Sequence, residues 1–334
     1  METYKEVSKK MIGTELKCRI CHHTGLRIMR VKEMMYGMAD EFNYGECLHC
    51  HCLQILEVPS NLGDFYPQNY YSYSSKKRKR PFKDWQRSIK RRMILNHPQW
   101  LALLGLLKNS STHFWTYQRM GLRQGANFLD VGAGSGAHVL ELCSANVDAI
   151  GVDPFINEDI VVDGNIMVKK GSIKDIDKQF DVISFHHSFE HIPEQLATLI
   201  IAKEHLKPHG KILIRIPTTS SYAFEEYQEN WCQLDAPRHL YLHSHQSIKV
   251  LAHQAGLIID DLWCDSSEIQ FIASEQYRYG ISLLNPKSYV VNKKLSGWGK
   301  NTIAAFKKRA LDANQALKGD QICVVLSVDR TQSS

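Results

Sequence analysis

The sequence predicts an α/β fold, in which a doubly wound, mostly parallel sheet of seven strands follows a small cysteine-rich module. Three observations lead to this prediction. From about residue 116 onward, short apolar runs alternate with helical patterns. A glycine-rich turn joins the first of these runs to a helix, and two C-x2-C pairs lie near the N-terminus. Alternating strands and helices bury both faces of a parallel sheet, so we expect helices on either side of it.

Three regions follow one another along the chain. Residues 1–60 hold the cysteine pairs, and residues 61–115 are rich in tyrosine, serine and basic residues, with a helical apolar spacing that Pro98 interrupts. Residues 116–330 form the α/β domain, with a helical insertion at about 268–320. The predicted strands are Asn127–Val131, Ala149–Val152, Val182–Phe185, Lys211–Ile216, Leu257–Asp265 and Ile322–Val328. The predicted helices include Gly136–Cys143, Pro193–Leu206, His245–Ala255 and Thr302–Leu317.

Composition and charge limit the class of protein. Of the 334 residues 43% are hydrophobic and 23% charged, as in ordinary globular proteins. No apolar run approaches the roughly 20 residues that span a bilayer, and the polar N-terminus lacks a signal peptide, so we expect a cytoplasmic protein. Ten of the basic residues fall between Lys76 and Arg92, with one acid among them. This run is either a solvated linker helix or a surface for phosphates, nucleic acid or an anionic membrane.

The cysteines near the N-terminus have the spacing of a metal site. Two C-x2-C pairs, Cys18 with Cys21 and Cys47 with Cys50, are separated by 25 residues. Each pair turns two thiolates toward one centre, and two pairs complete the tetrahedron that zinc prefers. Four thiolates leave no open position, so the sequence predicts a structural zinc in a ribbon-like module. Several histidines nearby are alternative ligands.

A glycine-rich turn indicates where a nucleoside cofactor binds. Gly132, Gly134 and Gly136 follow a buried strand and open a helix, so that a ligand can approach the backbone and the helix N–H groups. Asp153 ends the next strand, where a carboxylate can accept hydrogen bonds from ribose hydroxyls. The same glycines also fit the dinucleotide pattern G-x-G-x-x-A. Asp130, two positions before the first glycine, favours a donor that carries an amino group.

Four segments in sequence order resemble class I S-adenosylmethionine-dependent methyltransferases, which have a Rossmann-like sheet. They are L-D-V-G-A-G-S-G, the acid at Asp153, F-D-V-I with its E-H-I ending, and L-K-P-H-G-K-I-L-I. The resemblance implies that the glycine turn holds the methionine part of S-adenosylmethionine and that Asp153 holds the ribose. It assigns the cofactor to Asp130, Gly132, Gly134, Gly136 and Asp153. Ser172 stands where the family often has an acid near the adenine.

Two polar clusters follow predicted strands and are candidates for catalysis. His187, Glu190 and His191 come after the fourth strand, and one histidine could act as general base. In some related methyltransferases an acid and a histidine here bind a divalent cation instead. His239 lies in W-x-x-L-D-x-P-R-H-L-Y, which resembles methyltransferases of bacterial capsule and O-antigen biosynthesis. Arg238 beside it is a candidate for binding an anionic group. The alternative is that Arg238 forms a buried structural pair with Asp235.

The resemblance therefore favours methyl transfer to a small molecule or a glycan, such as a sugar nucleotide or saccharide. An RNA methyltransferase is the second hypothesis, because some rRNA enzymes join a zinc module to the same fold. Against it, no N-P-P-Y motif follows the fourth strand. A binding protein on an inactive fold is the third hypothesis, and the intact glycine turn and Asp153 weigh against it.

Overall fold

The computed structural model describes residues 16–38, 40–66, 81–96 and 112–329. The chain divides into two compact units. Unit 1 comprises Met1–Leu62, Pro217–Leu251 and Cys264–Gln321, and unit 2 comprises Gly63–Ile216, Ala252–Trp263 and Ile322–Ser334. Among the described residues, no helix has the length and apolar character needed to cross a membrane.

Twelve strands and eight α-helices are present in the described residues. The strands are β1 (Leu26–Lys32), β2 (Glu41–Cys47), β3 (Leu53–Ile55), β4 (Asn127–Val131), β5 (Asp148–Asp153), β6 (Ile160–Val162), β7 (Asn165–Lys170), β8 (Phe180–His186), β9 (Leu206–Pro217), β10 (Tyr241–Leu242), β11 (Leu257–Cys264) and β12 (Gln321–Val328). The helices are α1 (Pro81–Asn96), α2 (Thr112–Arg119), α3 (Ala137–Ser144), α4 (Gln195–Glu204), α5 (Tyr222–Tyr227), α6 (His245–Gln254), α7 (Ile269–Arg278) and α8 (Lys300–Gln315).

Unit 2 is built on a mostly parallel sheet with the order β11-β12-β9-β8-β4-β5-β7-β6. The pairs β4–β5, β4–β8, β5–β7 and β8–β9 are parallel, and the edge pair β6–β7 is antiparallel. Parallel strands place their carboxyl ends at one edge, where open α/β sheets bind their ligands. The predicted fold class is confirmed.

The hydrophobic core of unit 2 fixes the central strands. Phe128 of β4 packs in a buried cluster with Phe114 and Tyr117 of α2 and with Ile94 and Leu95 of α1. A second buried cluster joins α3 to β7. These clusters bury the middle of the sheet. The ends of β4, β5 and β8, which carry the polar residues, are then fixed relative to one another by the strand pairing.

Each of the named sequence-predicted strands is present, and two further strands complete the sheet. The strand before Gly171 is β7, and β6 is a short eighth strand that the prediction of seven did not include. These two form a hairpin around Asp163 and Gly164, with only Met167 and Val168 buried in β7. A strand at the edge of a sheet buries little apolar surface, so its sequence pattern is weak.

Unit 1 contains an antiparallel sheet in the order β1-β2-β3-β10. The N-terminal strands thus share their sheet with Tyr241 and Leu242, from far along the chain. The predicted boundary at residue 60 lies near Leu62, where the first segment of unit 1 ends, but unit 1 also takes in later segments. Helix α8 matches the predicted Thr302–Leu317. Helix α1 covers the first part of the helical apolar spacing predicted from Trp85 to Leu107. The rest of that spacing, from residue 97 onward, and the basic residues at 76–80 lie outside the described residues.

Candidate active site

A cavity of about 250 Å³ lies in unit 2 where β4, β5, β7 and β8 end. The ends of β4 and β5 contribute Val131 and Asp153, and the loops after β7 and β8 contribute Ser172, His187 and His191. The residues that line it are Tyr66, Val131, Gly132, Gly134, Val152, Asp153, Pro154, Phe155, Gly171, Ser172, Ile173, His187, Ser188, His191, Ile192, Pro193 and Thr198. A largely apolar cavity with a few polar groups is typical of a small-molecule site.

The glycine turn forms the floor of this cavity. Gly132 has a φ of +80°, and a Cβ there would lie 2.4 Å from the Cβ of Ser188. Only glycine fits so close to the loop that follows β8. Gly134 has a φ of +51°, and its N–H donates to Oδ2 of Asp153 over 2.8 Å. The turn is therefore fastened to the acid of the neighbouring strand.

Asp153 is buried at the end of β5 and accepts two backbone hydrogen bonds. Its Oδ2 meets the N–H of Gly134 and its Oδ1 meets the N–H of Phe155, both over 2.8 Å. Each carboxylate oxygen carries two lone pairs, so both can accept a further hydrogen bond from a ligand. Asp153 thus links the glycine turn, the aromatic residue beside it and the cavity.

Two predicted cofactor residues, Asp130 and Gly136, are described but lie outside the cavity lining. Asp130 is buried, and the hydroxyl of Ser184 donates to its Oδ1 over 2.6 Å. Burial raises the pKa of this carboxyl to about 7. At Gly136, with a φ of +70°, a Cβ would lie 2.5 Å from Cε of Met167. Asp130 and Gly136 therefore support the glycine turn without lining the cavity.

Ser172 lines the cavity and begins a short 3-10 helix, Ile173–Asp175. The backbone N–H and the hydroxyl of Ser172 both donate to Oδ2 of Asp175, over 2.7 Å and 3.1 Å. These hydrogen bonds lower the pKa of the Asp175 carboxyl. An acid, Asp175, does follow β7, three residues after Ser172. Its carboxylate accepts hydrogen bonds from Ser172 in the same loop.

Arg215 of β9 fixes the two histidines that end β8. Its Nη1 lies 2.6 Å from Nε2 of His187 and 3.3 Å from Nε2 of His186. A guanidinium only donates hydrogen bonds, so both imidazoles must accept with Nε2. His187, which has a φ of +53°, then carries its proton on Nδ1, 3.4 Å from Oε1 of Glu190. The hydrogen bond from Arg215 therefore occupies Nε2, the unprotonated nitrogen with which His187 would take a proton.

His191 also lines the cavity, on the short 3-10 helix Phe189–His191. Its Nδ1 lies 3.3 Å from the hydroxyl of Tyr66, and the two rings meet edge to face. Tyr66 is stacked on Phe155 with ring centroids 6.2 Å apart. Three rings thus stand together at the wall of the cavity. The sequence analysis identified none of Tyr66, Phe155 and Arg215 as a site residue, because no local motif marks them.

Glu190 is buried, with its carboxylate beneath the loop and outside the cavity lining. One of its oxygens lies within 4.8 Å of a ring nitrogen of His191. The alternative role of this pair as ligands of a divalent cation stays a prediction.

Comparison with known proteins agrees with this geometry. Residues 108–262 match a family model described as a methyltransferase domain. This part of the chain is a methyltransferase domain, so the protein is an enzyme. No curated protein sequence matches the chain.

Two solved structures are among those similar to the chain. A SAM-dependent methyltransferase from Archaeoglobus fulgidus is 20% identical with a TM-score of 0.37, covering 60% of this chain and 85% of its own. The cyclopropane synthase MmaA2 from Mycobacterium tuberculosis is 13% identical with a TM-score of 0.41, covering 66% of this chain and 86% of its own. Neither likeness indicates which acceptor this methyltransferase uses.

Unit 1 of the methyltransferase holds the four predicted zinc ligands. Cys18 and Cys50 have their Sγ atoms 3.6 Å apart, as do Cys21 and Cys47, and all four Sγ atoms lie within 4.8 Å of one another. A tetrahedral zinc with Zn–S bonds of about 2.3 Å places its sulfurs about 3.8 Å apart. The cysteine cluster therefore fits that metal in both donor type and spacing.

Unit 1 also holds the second predicted catalytic cluster. Arg238 is fully buried, and its Nη2 lies 2.7 Å from Oε1 of Glu33 and 2.6 Å from Oδ1 of Asp235. The expectation that Arg238 binds an anionic group of the substrate is therefore wrong, because both acids already neutralise a guanidinium that has no access to solvent.

The neighbouring His239 keeps a tautomer suited to a base. Its Nδ1 lies 2.8 Å from the carbonyl oxygen of Gln233, so Nδ1 carries the proton and Nε2 is the unprotonated nitrogen of the neutral ring. The shared position of His191 and His239 at one rim stays a prediction, since the two residues belong to different units.

Proposed function

We propose that this methyltransferase transfers the methyl group of S-adenosylmethionine to a hydroxyl or sugar carbon of a small-molecule or glycan acceptor, with His191 as general base. The observation that carries the proposal is the position of the His191 ring in the wall of the same cavity that the glycine turn and Asp153 line. A base must lie within hydrogen-bond reach of the proton that it removes.

The residues at the cavity fit the donor. Gly132 and Gly134 let the methionine part lie against the backbone, and Asp153 accepts hydrogen bonds from the ribose hydroxyls. Ser172 and Ile173 offer a polar group and an apolar side chain to the adenine. When bound, S-adenosylmethionine supplies an electrophilic methyl group on a sulfonium. The protein contributes orientation, and the cavity excludes water from the reacting groups.

The proton has one candidate destination at the loop after β8. Arg215 occupies Nε2 of His187 as a donor, so His187 cannot take a proton there without losing that hydrogen bond. Glu190 lies outside the cavity lining. His191 is the remaining titratable side chain of that loop in the cavity wall. It takes the proton of the acceptor as the bond from sulfur to the methyl carbon breaks and the new bond to the acceptor forms.

The proposed acceptor class rests on the W-x-x-L-D-x-P-R-H-L-Y resemblance and not on the cavity. Two described side chains of the basic run are engaged within the protein and are not offered to RNA. Arg91 pairs with Glu141 over 2.9 Å, and Nε of Arg92 donates to the carbonyl oxygen of Ser144 over 3.2 Å. Two of the cations in the basic run thus tie α1 to the end of α3, which is a favourable place for positive charge.

Labelled methyl transfer to sugar nucleotides, glycan extracts and RNA, measured side by side, tests the proposal. We expect label in a sugar-containing fraction and none in RNA. The His191→Ala variant should lose roughly 10²–10⁴-fold in turnover while its affinity for the donor changes little. If His239→Ala shows that loss and His191→Ala does not, His239 is the base instead. Label in RNA alone would replace the glycan acceptor with RNA, and full activity in both variants would end the assignment of a histidine base.

We further propose that Cys18, Cys21, Cys47 and Cys50 hold one structural zinc ion per chain. The Sγ distances support this, as does the burial of three of the four thiols. With four thiolate ligands the metal has no open position, so it serves folding and not the reaction.

Metal analysis of purified variants tests the zinc proposal. The Cys18→Ser/Cys47→Ser double variant should lose the metal, and Cys143→Ser, at an exposed cysteine outside the cluster, should keep it. A double variant that retains a full equivalent of zinc would move the ligands to other side chains, such as the neighbouring histidines.

A further inference from the structure

Contacts of the backbone and of the ring position the side chain of Tyr66. The short 3-10 helix Leu62–Phe65 precedes it, and the N–H of Tyr66 donates to the carbonyl of Gly63 over 3.0 Å. Phe65 beside it is buried, which anchors the backbone at this point. The ring of Tyr66 then stacks on Phe155, the residue that donates its N–H to Asp153. The burial of Phe65 and the stacking on Phe155 therefore position the phenol ring in the cavity lining.

The hydroxyl of Tyr66 meets the histidine that the proposed function requires. Nδ1 of His191 is the nitrogen turned toward it, at 3.3 Å. A neutral imidazole donates through one ring nitrogen and accepts through the other, so this contact decides which nitrogen can receive a proton. If Nδ1 donates to the phenol oxygen, Nε2 is the accepting atom.

We propose that Tyr66 is a positioning residue that fixes His191 in the Nδ1–H form and, with Phe155, makes an aromatic wall for the donor. This inference rests on the proposed role of His191 as base. During transfer the proton of the acceptor goes to Nε2 of His191, while Nδ1–H remains hydrogen-bonded to the phenol oxygen. His239 has the same arrangement, with a backbone carbonyl in place of the phenol.

Two substitutions separate the hydroxyl from the ring. Tyr66→Phe removes the hydrogen bond and keeps the stack on Phe155. Tyr66→Leu removes both. The matched control is Tyr279→Phe, at a tyrosine that is 73% exposed and outside the cavity lining.

Nitrogen-15 NMR of histidine-labelled protein, with His191 assigned through a His191→Gln variant, reads the tautomer directly. We expect Nδ1–H in the wild-type chain and in Tyr279→Phe, and a shift toward Nε2–H in Tyr66→Phe. The inference is overturned if wild-type His191 carries its proton on Nε2, or if Tyr66→Phe leaves the tautomer unchanged.

Calorimetry with S-adenosylmethionine tests the aromatic wall without any acceptor. Tyr66→Phe should bind the donor within about twofold of the wild type, whereas Tyr66→Leu should bind roughly tenfold more weakly, because a stacked aromatic pair is lost. Equal affinity in Tyr66→Leu would remove the wall from the inference. Absence of donor binding in the wild-type chain would instead contradict the cofactor assignment, so the two failures are distinguishable.

Discussion

At the scale of single residues, Asp153 has two roles at the cavity. Its carboxylate accepts hydrogen bonds from Gly134 and Phe155, and the residue also lines the cavity in which we propose that the donor binds. Removing the carboxylate therefore takes away the proposed contact with the donor and also the hydrogen bond that holds Gly134. The side chain would be hard to replace, because both oxygens are engaged before any ligand arrives.

We expect Asp153→Ala to weaken binding of S-adenosylmethionine by roughly 10–100-fold, since hydrogen bonds to a charged group are lost. Asp153→Asn keeps one acceptor oxygen and should have an intermediate affinity. Glu158→Gln, at an exposed acid outside the cavity, is the control. Calorimetry measures all three. Wild-type affinity in Asp153→Ala, or tighter binding of a nicotinamide dinucleotide, would contradict the cofactor assignment.

The raised pKa of Asp130 predicts how the free energy of unfolding depends on pH. Burial raises its pKa from 3.8 to about 7 in the folded chain. Because the folded pKa lies above the unfolded one, the free energy of unfolding falls as pH rises through this window, and the loss is complete above pH 7. Asp130→Asn carries no charge, and its amide oxygen can still accept from Ser184. When the pH is raised from 5 to 8, the free energy of unfolding of the variant should rise by about 2–3 kcal/mol relative to that of the wild type.

Thermal melting of both proteins at the two pH values, without ligand, checks this prediction. A difference between variant and wild type that does not change with pH would mean that Asp130 is ionised throughout. That outcome would also leave its carboxylate available to a cationic group of the donor across the whole range.

At the scale of elements, the packing of α3 on β7 depends on Gly136. The helix begins at Ala137, directly after a glycine with a φ of +70°. A Cβ at Gly136 would lie 2.5 Å from Cε of Met167 and 2.7 Å from Cγ2 of Val168. The third glycine of the motif is thus explained by helix-to-strand packing, in contrast to the first, which makes room at the cavity.

Gly136→Ala should lower the free energy of unfolding through both backbone strain and overpacking. Gly164→Ala is the matched control, because Gly164 has a φ of +80° with no atom within 4 Å of its added Cβ. We expect the control to lose about 1 kcal/mol from strain alone and Gly136→Ala to lose about 1–3 kcal/mol more. Denaturant unfolding measures both. Equal losses would mean that Met167 and Val168 move aside at little cost.

The sequence could predict the elements better than the contacts between them. The central strands and the glycine turn follow from local patterns, and the structure has them within a few residues of the prediction. The contacts of Arg215 with His187 and of Tyr66 with His191 join residues far apart in the chain, so no local pattern indicates them. For Arg238 the local sequence left an anion-binding role and a structural pair with Asp235 both open, and the second partner Glu33 lies about two hundred residues away.

At the scale of the whole molecule, the cysteine segment is part of a larger unit. Strand β3 pairs with β10, and the hydroxyl of Ser244 donates to the carbonyl of Cys50. The hydroxyl of Thr219 likewise donates to the carbonyl of His51 over 2.8 Å. A metal at the cysteines would therefore stabilise backbone that belongs to residues 217–251 as well as its own segment.

Loss of the proposed zinc should consequently reach well beyond the N-terminal segment. In the Cys18→Ser/Cys47→Ser variant, we expect faster amide hydrogen exchange both at residues 40–55 and at Tyr241–Ser244, because the second group loses the strand that it pairs with. Mass spectrometry of exchanged peptides can resolve the two regions, and Cys143→Ser serves as the control. Faster exchange confined to the cysteine segment would mean that this segment unfolds alone, as a separable module, and that β10 keeps its structure without it.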